Sequence, residues 1–322
     1  MIERILLPLD GSERAEHAIP LAIRLATIYG SEVVILRVVE GPRLSTATWS
    51  DPVAWRLERG EALLYLAAVK KRFVEAGVSV DLDVTMGDPA QEILESALVR
   101  DADLVILTNP GPDDMRDPTL SGTTQRVVAA VDASLLVLPT VEGAEPFDRM
   151  QRILVPLDGS RRSEWALRVG INLAAAARAS VTALYVVQEP DVIEGAASEE
   201  LRGHAAAYVD AGREVAARYL SSAVANLDVP DVPATIRVES GPNVCRAITR
   251  VAAEEEASLI LASAHGRTGA GECRFGAVTQ GLLHRVERPL LVLQDSTRPT
   301  RPRVRSVEET RPRRARSSAP AR

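Results

Sequence analysis

Aromatic residues are scarce in this sequence: Phe, Trp and Tyr make up 3% of its 322 residues, while apolar residues make up 46%. The core must therefore consist mainly of aliphatic side chains. Such a core is typical of buried parallel strands that are covered by helices. The composition favours an α/β protein.

Cysteines, lysines and long apolar runs are scarce as well. The two cysteines, Cys245 and Cys273, are too few for a disulfide framework and lack metal-ligand spacing, which favours a reducing compartment, the cytosol. The only lysines, Lys70 and Lys71, fall in an amphipathic helical pattern, so no lysine is expected to clamp a phosphate. No apolar run approaches the roughly 20 residues that a membrane-spanning helix needs, and a strand-like pattern starts almost at the N-terminus. Neither a membrane segment nor a signal peptide is expected.

Negative charge predominates, but unevenly. The net charge is −6, yet residues 298–322 contain nine Arg against Glu308 and Glu309, which leaves −13 for the preceding residues. An acidic body is not expected to bind nucleic acid specifically. Residues 296–322, rich in Arg, Pro and Ser, are predicted to form a disordered tail, because they bury too little surface to offset the entropy of ordering; contact of this tail with a polyanion stays an alternative. High Arg and Ala usage with little Lys hints at a GC-rich bacterial genome.

One segment of the sequence occurs twice. RILLPLDGS at Arg4–Ser12 returns as RILVPLDGS at Arg152–Ser160. The spacing of 148 residues is the size of a domain, and the chain is longer than one hydrophobic core usually supports. The sequence therefore predicts two similar domains, 1–140 (copy one) and 151–295 (copy two), with a linker at 141–150.

Short β-branched runs alternate with helical patterns in both copies, in the order β-α-β-α-β-α-β-α-β. This alternation predicts a doubly wound, Rossmann-like domain with a five-stranded, mostly parallel sheet and helices on both faces. Ser12 and Ser160 are expected to cap the first helix of each copy, and Pro20 is expected to kink that helix in copy one. The predicted strands are 5–9, 32–39, 78–84, 104–108 and 135–138 in copy one, and 153–157, 181–187, 235–238, 259–263 and 290–293 in copy two.

Ligands of doubly wound sheets bind beyond the carboxyl ends of the strands. Asp10 and Asp158 end the first strands there, although a turn-forming Asp in DGS is common in any α/β protein. After strand four, copy two reads ASAHGRTGAGECRFGAV, a glycine-rich loop whose backbone N–H groups are suited to phosphates, with Arg267 or Arg274 as added charge.

At these residues the chain resembles the universal stress protein family. The matching segments are ILVPLDGS, LILASAHGRTG and RPLLVL in copy two, and ILLPLDGS, ADLVIL and ASLLVL in copy one, so that the resemblance covers residues 2–139 and 151–294. It implies an adenine nucleotide alpha hydrolase-like fold. It also implies that the two copies pack as an internal dimer about a twofold axis through their final strands.

The family's ATP-binding members carry G-x2-G-x9-G-[S/T] after strand four. Copy two keeps this spacing with Ser263, Gly266, Gly276 and Ala277, of which Ala277 lacks the hydroxyl. The resemblance implies ATP, with Mg²⁺ as an optional companion, as the ligand of copy two. The candidate binding residues are Pro156, Asp158, Gly159, Val186, Ala262, Ser263, Gly266, Arg267, Gly269, Gly276, Ala277 and Val278.

Copy one departs further from this motif, with LTNPGPDDMRDPTLSGTT. Its loop contains one extra residue before Gly122 in this alignment, and Asp113, Asp114 and Asp117 would repel a triphosphate. We therefore expect copy one to bind ATP poorly. Its more doubtful candidates are Asp10, Val38, Gly111, Gly122 and Thr123.

Signatures of enzymes with related folds are missing from the sequence: it contains no S-G-G-x-D-S, H-x-G-H or G-x-x-x-x-G-K-[ST] motif. His265 is the one histidine near the predicted cleft, and a structural hydrogen bond is its simpler interpretation. No catalytic or metal-binding residues are expected. The resemblance implies an adenine-nucleotide-binding regulator of stress or dormancy, with an unidentified protein partner and homodimer formation as an option. The alternatives are a nucleotide-free interaction module and a weak ATP hydrolase.

Overall fold

Ten strands and nine helices are present in the described part of the chain, which a computed structural model gives as residues 2–40, 52–110, 120, 122–140, 147, 150–190, 199–227, 231–267 and 274–294. The strands are β1 Arg4–Pro8, β2 Glu32–Val39, β3 Val80–Met86, β4 Leu104–Pro110 and β5 Ser134–Thr140 in copy one, and β6 Arg152–Leu157, β7 Ser180–Gln188, β8 Ala234–Gly241, β9 Leu259–Ser263 and β10 Leu290–Leu293 in copy two. The helices are α1 Glu13–Glu16, α2 Ile19–Tyr29, α3 Pro52–Glu75, α4 Pro89–Val99, α5 Gly122–Ala130, α6 Arg161–Ala177, α7 Glu199–Ala225, α8 Val244–Glu254 and α9 Ala277–His284.

All ten strands form one sheet, in the order β3-β2-β1-β4-β5-β10-β9-β6-β7-β8. Within each copy the five strands are parallel, and β5 joins β10 in antiparallel orientation. At this junction Leu136 lies opposite Leu291, the equivalent residue of copy two. The doubly wound fold and the internal twofold pairing of the copies are therefore confirmed.

Aliphatic side chains form a core on each face of the sheet. One core lies under α2, α3, α6 and α7, and the other lies under α4, α5, α8 and α9; each contains residues of both copies. The two strands at the junction, β5 and β10, consist mainly of leucine and valine, and these side chains are buried almost completely. Since neither core stops at the boundary between the copies, the two domains share their hydrophobic interior.

The first helix of copy one is broken instead of kinked. The chain forms α1, then turns at His17 and starts α2 at Ile19, so that Pro20 lies in the first turn of a new helix. Proline is well tolerated there, because the first N–H groups of a helix have no intrahelical acceptor. Copy two, without a proline at this place, has the single helix α6.

Strand β3 begins two residues later than the sequence pattern indicates. Gly77 has a left-handed backbone (φ +76°), and the N–H of Val78 donates to the carbonyl of Phe73, a hydrogen bond that closes the end of α3. The buried side chain of Val78 therefore packs below the helix end, and the ladder with β2 starts at Val80.

Most of the predicted linker and the whole predicted tail lie outside the described residues; of the linker, only residues 147 and 150 are described. Among the described helices, none combines the length and the apolar character needed to cross a membrane.

Candidate functional site

The strand order of copy two reverses around β6, which lies between β7 and β9. Leu157 of β6 is level with Tyr185 of β7, and Leu154 is level with Ile260 of β9. The connections from β6 and β9 leave toward opposite sides of the sheet, which opens a crevice beyond their carboxyl ends. The predicted site residues of copy two that the structure describes lie near the carboxyl ends of these strands or in the segments that follow β6 and β9.

A tight turn places Asp158 at the mouth of the crevice. Gly159 has φ +81°, a conformation that side chains disfavour. Ser160 is the N-cap of α6, and its hydroxyl accepts from the Ser163 N–H at 3.1 Å. The Ser160 N–H donates to Asp158 Oδ1 at 3.0 Å. One carboxylate oxygen of Asp158 is thus used to fix its own turn.

The second carboxylate oxygen of Asp158 binds the loop after β9. The backbone N–H of Arg267 donates to Asp158 Oδ2 at 2.7 Å. Gly266 lies so close to the same oxygen that a Cβ on Gly266 would be 2.2 Å from it. Burial raises the pKa of Asp158, but hydrogen bonds from Ser160 and from the Arg267 backbone outweigh burial and leave this pKa below its ordinary value. Asp158 is therefore an ionised clamp on the loop.

The end of the same loop returns to Gly266 and starts α9. The Gly276 N–H donates to the carbonyl of Ala264 at 2.8 Å. A Cβ on Gly276 would lie 3.6 Å from the Gly266 nitrogen, which is ordinary contact. Gly276 is also the N-cap of α9 and has no side chain to cap it. The first N–H groups of α9 therefore open at the place where the two ends of the loop meet, an arrangement suited to an anion.

Two hydroxyl groups fix the base of the loop. Thr279 donates from Oγ1 to the carbonyl of Ser263 at 2.8 Å, and Ser263 donates from Oγ to the carbonyl of His265 at 3.0 Å. The Ser263 hydroxyl is therefore engaged with the loop backbone. His265 itself is partly buried and interacts with neighbouring residues.

The remaining predicted residues of copy two form an apolar wall and a rim. Ala262 is buried, Pro156 and Val186 are half-buried, and Ala277 and Val278 are exposed at the start of α9. Val186 packs against the same core as Ala262. The wall is small and aliphatic. Gly269 lies outside the described residues.

Arginines lie on the rim of this site. Arg267 is exposed in the loop, and Arg161 is exposed at the start of α6. Cations at a helix N-terminus are unfavourable to the helix dipole, so a bound anion would compensate them. Arg274, the other arginine expected to serve the site, instead points to copy one, where it forms an ion pair with Asp132 and donates to the Val131 carbonyl at 3.2 Å.

Copy one repeats the aspartate turn. Asp10 Oδ1 accepts from the Ser12 N–H at 2.9 Å and from its hydroxyl at 2.6 Å, and Gly11 has φ +81°. Val38 is half-buried against the core of its own copy. Gly111 and the three aspartates 113, 114 and 117 lie outside the described residues.

The loop of copy one has no extra residue. Thr124 donates to the carbonyl of Thr108, 16 residues earlier, as Thr279 does to Ser263, also 16 residues earlier. The predicted alignment was therefore shifted by one position: Gly122 is equivalent to Ala277 and Thr123 to Val278. The partly buried Thr123 and the exposed Gly122 both belong to α5.

In the corrected alignment of the two sequences, Pro112 is equivalent to Arg267. Proline has no N–H, so the sequence of copy one lacks the backbone donor that Arg267 supplies to Asp158.

Sequence reasoning missed the role of Ser163. This buried residue lies under the turn, where its hydroxyl donates to the Ser160 carbonyl at 2.9 Å and lies 3.4 Å from the Asp158 nitrogen. Its counterpart in copy one is Ala15. The difference between DGSRRS in copy two and DGSERA in copy one was the sequence signal that could have indicated this role.

Comparisons with known proteins agree with this architecture. The family model for the universal stress protein family matches residues 1–139 and again 150–294. A universal stress protein of Mycobacterium tuberculosis is 24% identical over 309 residues, which cover 91% of this chain and 97% of that protein. One from Methanocaldococcus jannaschii is 29% identical over 140 residues, 43% of this chain and 82% of that protein.

Solved structures show the same fold. A universal stress protein from Archaeoglobus fulgidus matches with a TM-score of 0.62 at 18% identity, over 91% of this chain and 98% of the other. Since the family model covers both halves, this chain belongs to the universal stress protein family and is a tandem of two such domains.

Proposed function

We propose that this chain binds one ATP molecule, in copy two, and acts in the cytosol as a nucleotide-responsive regulator of stress or dormancy without a dedicated catalytic apparatus. The observation that carries the proposal is the contact of Gly266 and Arg267 with Asp158. It joins the glycine-rich loop to the turn after β6 at the mouth of the crevice.

The residues at the crevice fit an adenine nucleotide. The half-buried Val186 and the buried Ala262 offer an apolar wall for the base, beside Asp158. The backbone of Gly266 and the first turn of α9 offer N–H groups to the phosphates, since a helix N-terminus attracts negative charge. No lysine is needed in this arrangement, because the backbone supplies the donors.

Charge on the rim favours a polyphosphate over a neutral nucleoside. Copy two has Arg161 at the start of α6, where copy one has Glu13. It has Arg267 in the loop, where copy one has Pro112. Phosphates therefore meet positive charge in copy two, whereas copy one offers carboxylates, so one site per chain is expected.

Mg²⁺ would accompany the triphosphate and neutralise part of its charge. Both oxygens of Asp158 already accept backbone N–H groups, at 3.0 and 2.7 Å, so that Asp158 is poorly placed to bind the metal ion. The phosphates and water are then its natural ligands.

Analysis of the nucleotide that accompanies the purified chain tests this function. The full chain, purified without added nucleotide and then denatured, should release ATP in an amount close to one per chain, as quantified by chromatography and mass spectrometry. Release of no nucleotide, together with no uptake of added ATP, would favour a nucleotide-free interaction module. Steady release of ADP by the folded chain would instead favour a weak hydrolase.

A further inference from the structure

Arg274 links the candidate nucleotide site of copy two directly to copy one. Its guanidinium forms an ion pair with the Asp132 carboxylate and donates to the Val131 carbonyl at 3.2 Å. Val131 and Asp132 directly follow α5, and the Val131 N–H donates to the Val127 carbonyl at 2.8 Å. The Arg274 charge therefore lies at the carboxyl end of a helix, where the dipole favours a cation.

The antiparallel junction explains why these residues meet. Because β5 runs opposite to β10, the start of β5 lies beside the end of β10, where the Gln294 N–H donates to the Ser134 hydroxyl at 3.2 Å. The short connection between α5 and β5 therefore reaches the carboxyl edge of copy two. This is the edge at which the crevice of copy two opens.

Three consecutive residues lead from this contact to the site. Arg274 binds copy one, Phe275 is buried in the core that both copies share, and Gly276 is the N-cap of α9 beside Gly266. A displacement of Arg274 from Asp132 is thus transmitted to the start of α9 through one buried residue, Phe275. Packed cores transmit such shifts because they contain few voids.

The sequence offers no equivalent ion pair in the opposite direction. The equivalent of Arg274 in copy one is Thr119, which has no charge, and the equivalent of Asp132 in copy two is Glu287. Threonine cannot form an ion pair with Glu287. Copy one therefore contributes an ion pair to Arg274, which precedes α9 of copy two, and the sequence of copy two offers no equivalent ion pair to copy one.

We infer that Arg274 is a positioning residue, through which copy one sets the affinity of copy two for the nucleotide. This inference rests on the proposed function. In physical terms, Asp132 and Val131 of copy one hold Arg274, and Arg274 in turn holds the start of α9 in the geometry that binds the nucleotide. Nucleotide binding and the contact between Arg274 and Asp132 then strengthen each other.

A charge-swap cycle in the full chain tests the inference by calorimetric titration of ATP. Arg274→Asp and Asp132→Arg should each weaken ATP binding by about two- to fivefold at low salt, the range expected for an exposed ion pair, and the double variant should regain most of the loss. At about 1 M salt the difference between the wild type and Arg274→Asp should disappear, because exposed pairs are screened.

Arg24→Ala is the matched control, because Arg24 also bridges the copies but on the face of α2 and α6, where it donates to the Ala177 carbonyl at 2.9 Å. It should lower the stability of the chain and leave ATP affinity unchanged. Equal affinity of the wild type and Arg274→Asp, or equal losses in Arg274→Asp and Arg24→Ala, would overturn the inference while the proposed function stands. A wild-type chain that does not bind ATP would remove both.

Discussion

Gly266 and Asp158 lie so close together that no side chain fits between them: a methyl group on Gly266 would stand 2.2 Å from Asp158 Oδ2. The two residues come from different strand ends, 108 positions apart in the chain. Their contact is supported by the hydrogen bond from the Arg267 N–H to the same oxygen. The loop and the aspartate turn therefore form one unit, which a single added carbon would separate.

Replacement of Gly266 by alanine should separate the loop after β9 from the Asp158 turn. The new methyl group displaces the Asp158 carboxylate, which is held by Ser160, and breaks its bond with Arg267. We expect ATP affinity to fall by about tenfold or more, equivalent to about 1.4 kcal/mol or more, in calorimetric titration. Gly241→Ala is a suitable control, since a methyl group there meets nothing within 4 Å. Unchanged affinity in Gly266→Ala would contradict the assigned contact.

The lowered pKa of Asp158 predicts an acid-dependent stability. The folded pKa lies below the ordinary value of 3.8, so the ionised carboxylate stabilises the fold above that value, and this contribution is lost as the pH falls through the folded pKa. Asp158→Asn should cost about 1 kcal/mol at neutral pH, after allowance for partial exposure, and progressively less below about pH 4.

Urea denaturation from pH 7 down to pH 3 measures this difference. Asp10→Asn should cost less at neutral pH, because Pro112, the sequence equivalent of Arg267, has no N–H to donate as Arg267 does to Asp158. A cost that stays constant across the pH range would show that the charge of Asp158 does not stabilise the fold.

The rim arginines should discriminate between ATP and adenosine. Arg161→Ala and Arg267→Ala should each weaken ATP binding by about two- to fivefold and leave adenosine binding unchanged, because only the phosphates carry charge. Arg168→Ala changes an exposed arginine two turns further along α6 and should have little effect on either ligand. A similar loss for adenosine and ATP would mean that the arginines act on the fold instead of the phosphates.

The shared interior predicts that the two domains unfold together. Leu136 is fully buried opposite Leu291 on the twofold axis, and both cores continue across it. Leu136→Ala should cost about 2–5 kcal/mol and shift a single unfolding transition, seen in guanidinium denaturation followed by circular dichroism. Leu98→Ala, at a largely exposed position, should shift it little. Two separate transitions in the wild type would contradict a common core.

Much of the fold was predictable from the sequence, because short β-branched runs that alternate with helical patterns and the repeated DGS turn are local signals. The break at Pro20 was harder, since a proline kinks or restarts a helix depending on the packing of its neighbours. The alignment of the copy-one loop was wrong by one residue, because Gly122 looked like the motif glycine until Thr124 and Thr279 fixed the spacing.

Contacts between distant parts of the chain were the least predictable features. Arg274 looked like a phosphate ligand because it stands in the glycine-rich loop, yet it binds Asp132 of the other copy. Nothing local to either residue reveals that partner. Only the antiparallel meeting of β5 and β10 brings the two residues together.

Titration of ATP with Mg²⁺ into three forms of the full chain, the wild type, Asp158→Ala and Asp10→Ala, determines which copy binds the nucleotide. We expect one site per chain in the wild type, loss of binding in Asp158→Ala and retention of binding in Asp10→Ala. Binding that survives in Asp158→Ala and disappears in Asp10→Ala, or two equal sites in the wild type, would contradict a site in copy two alone.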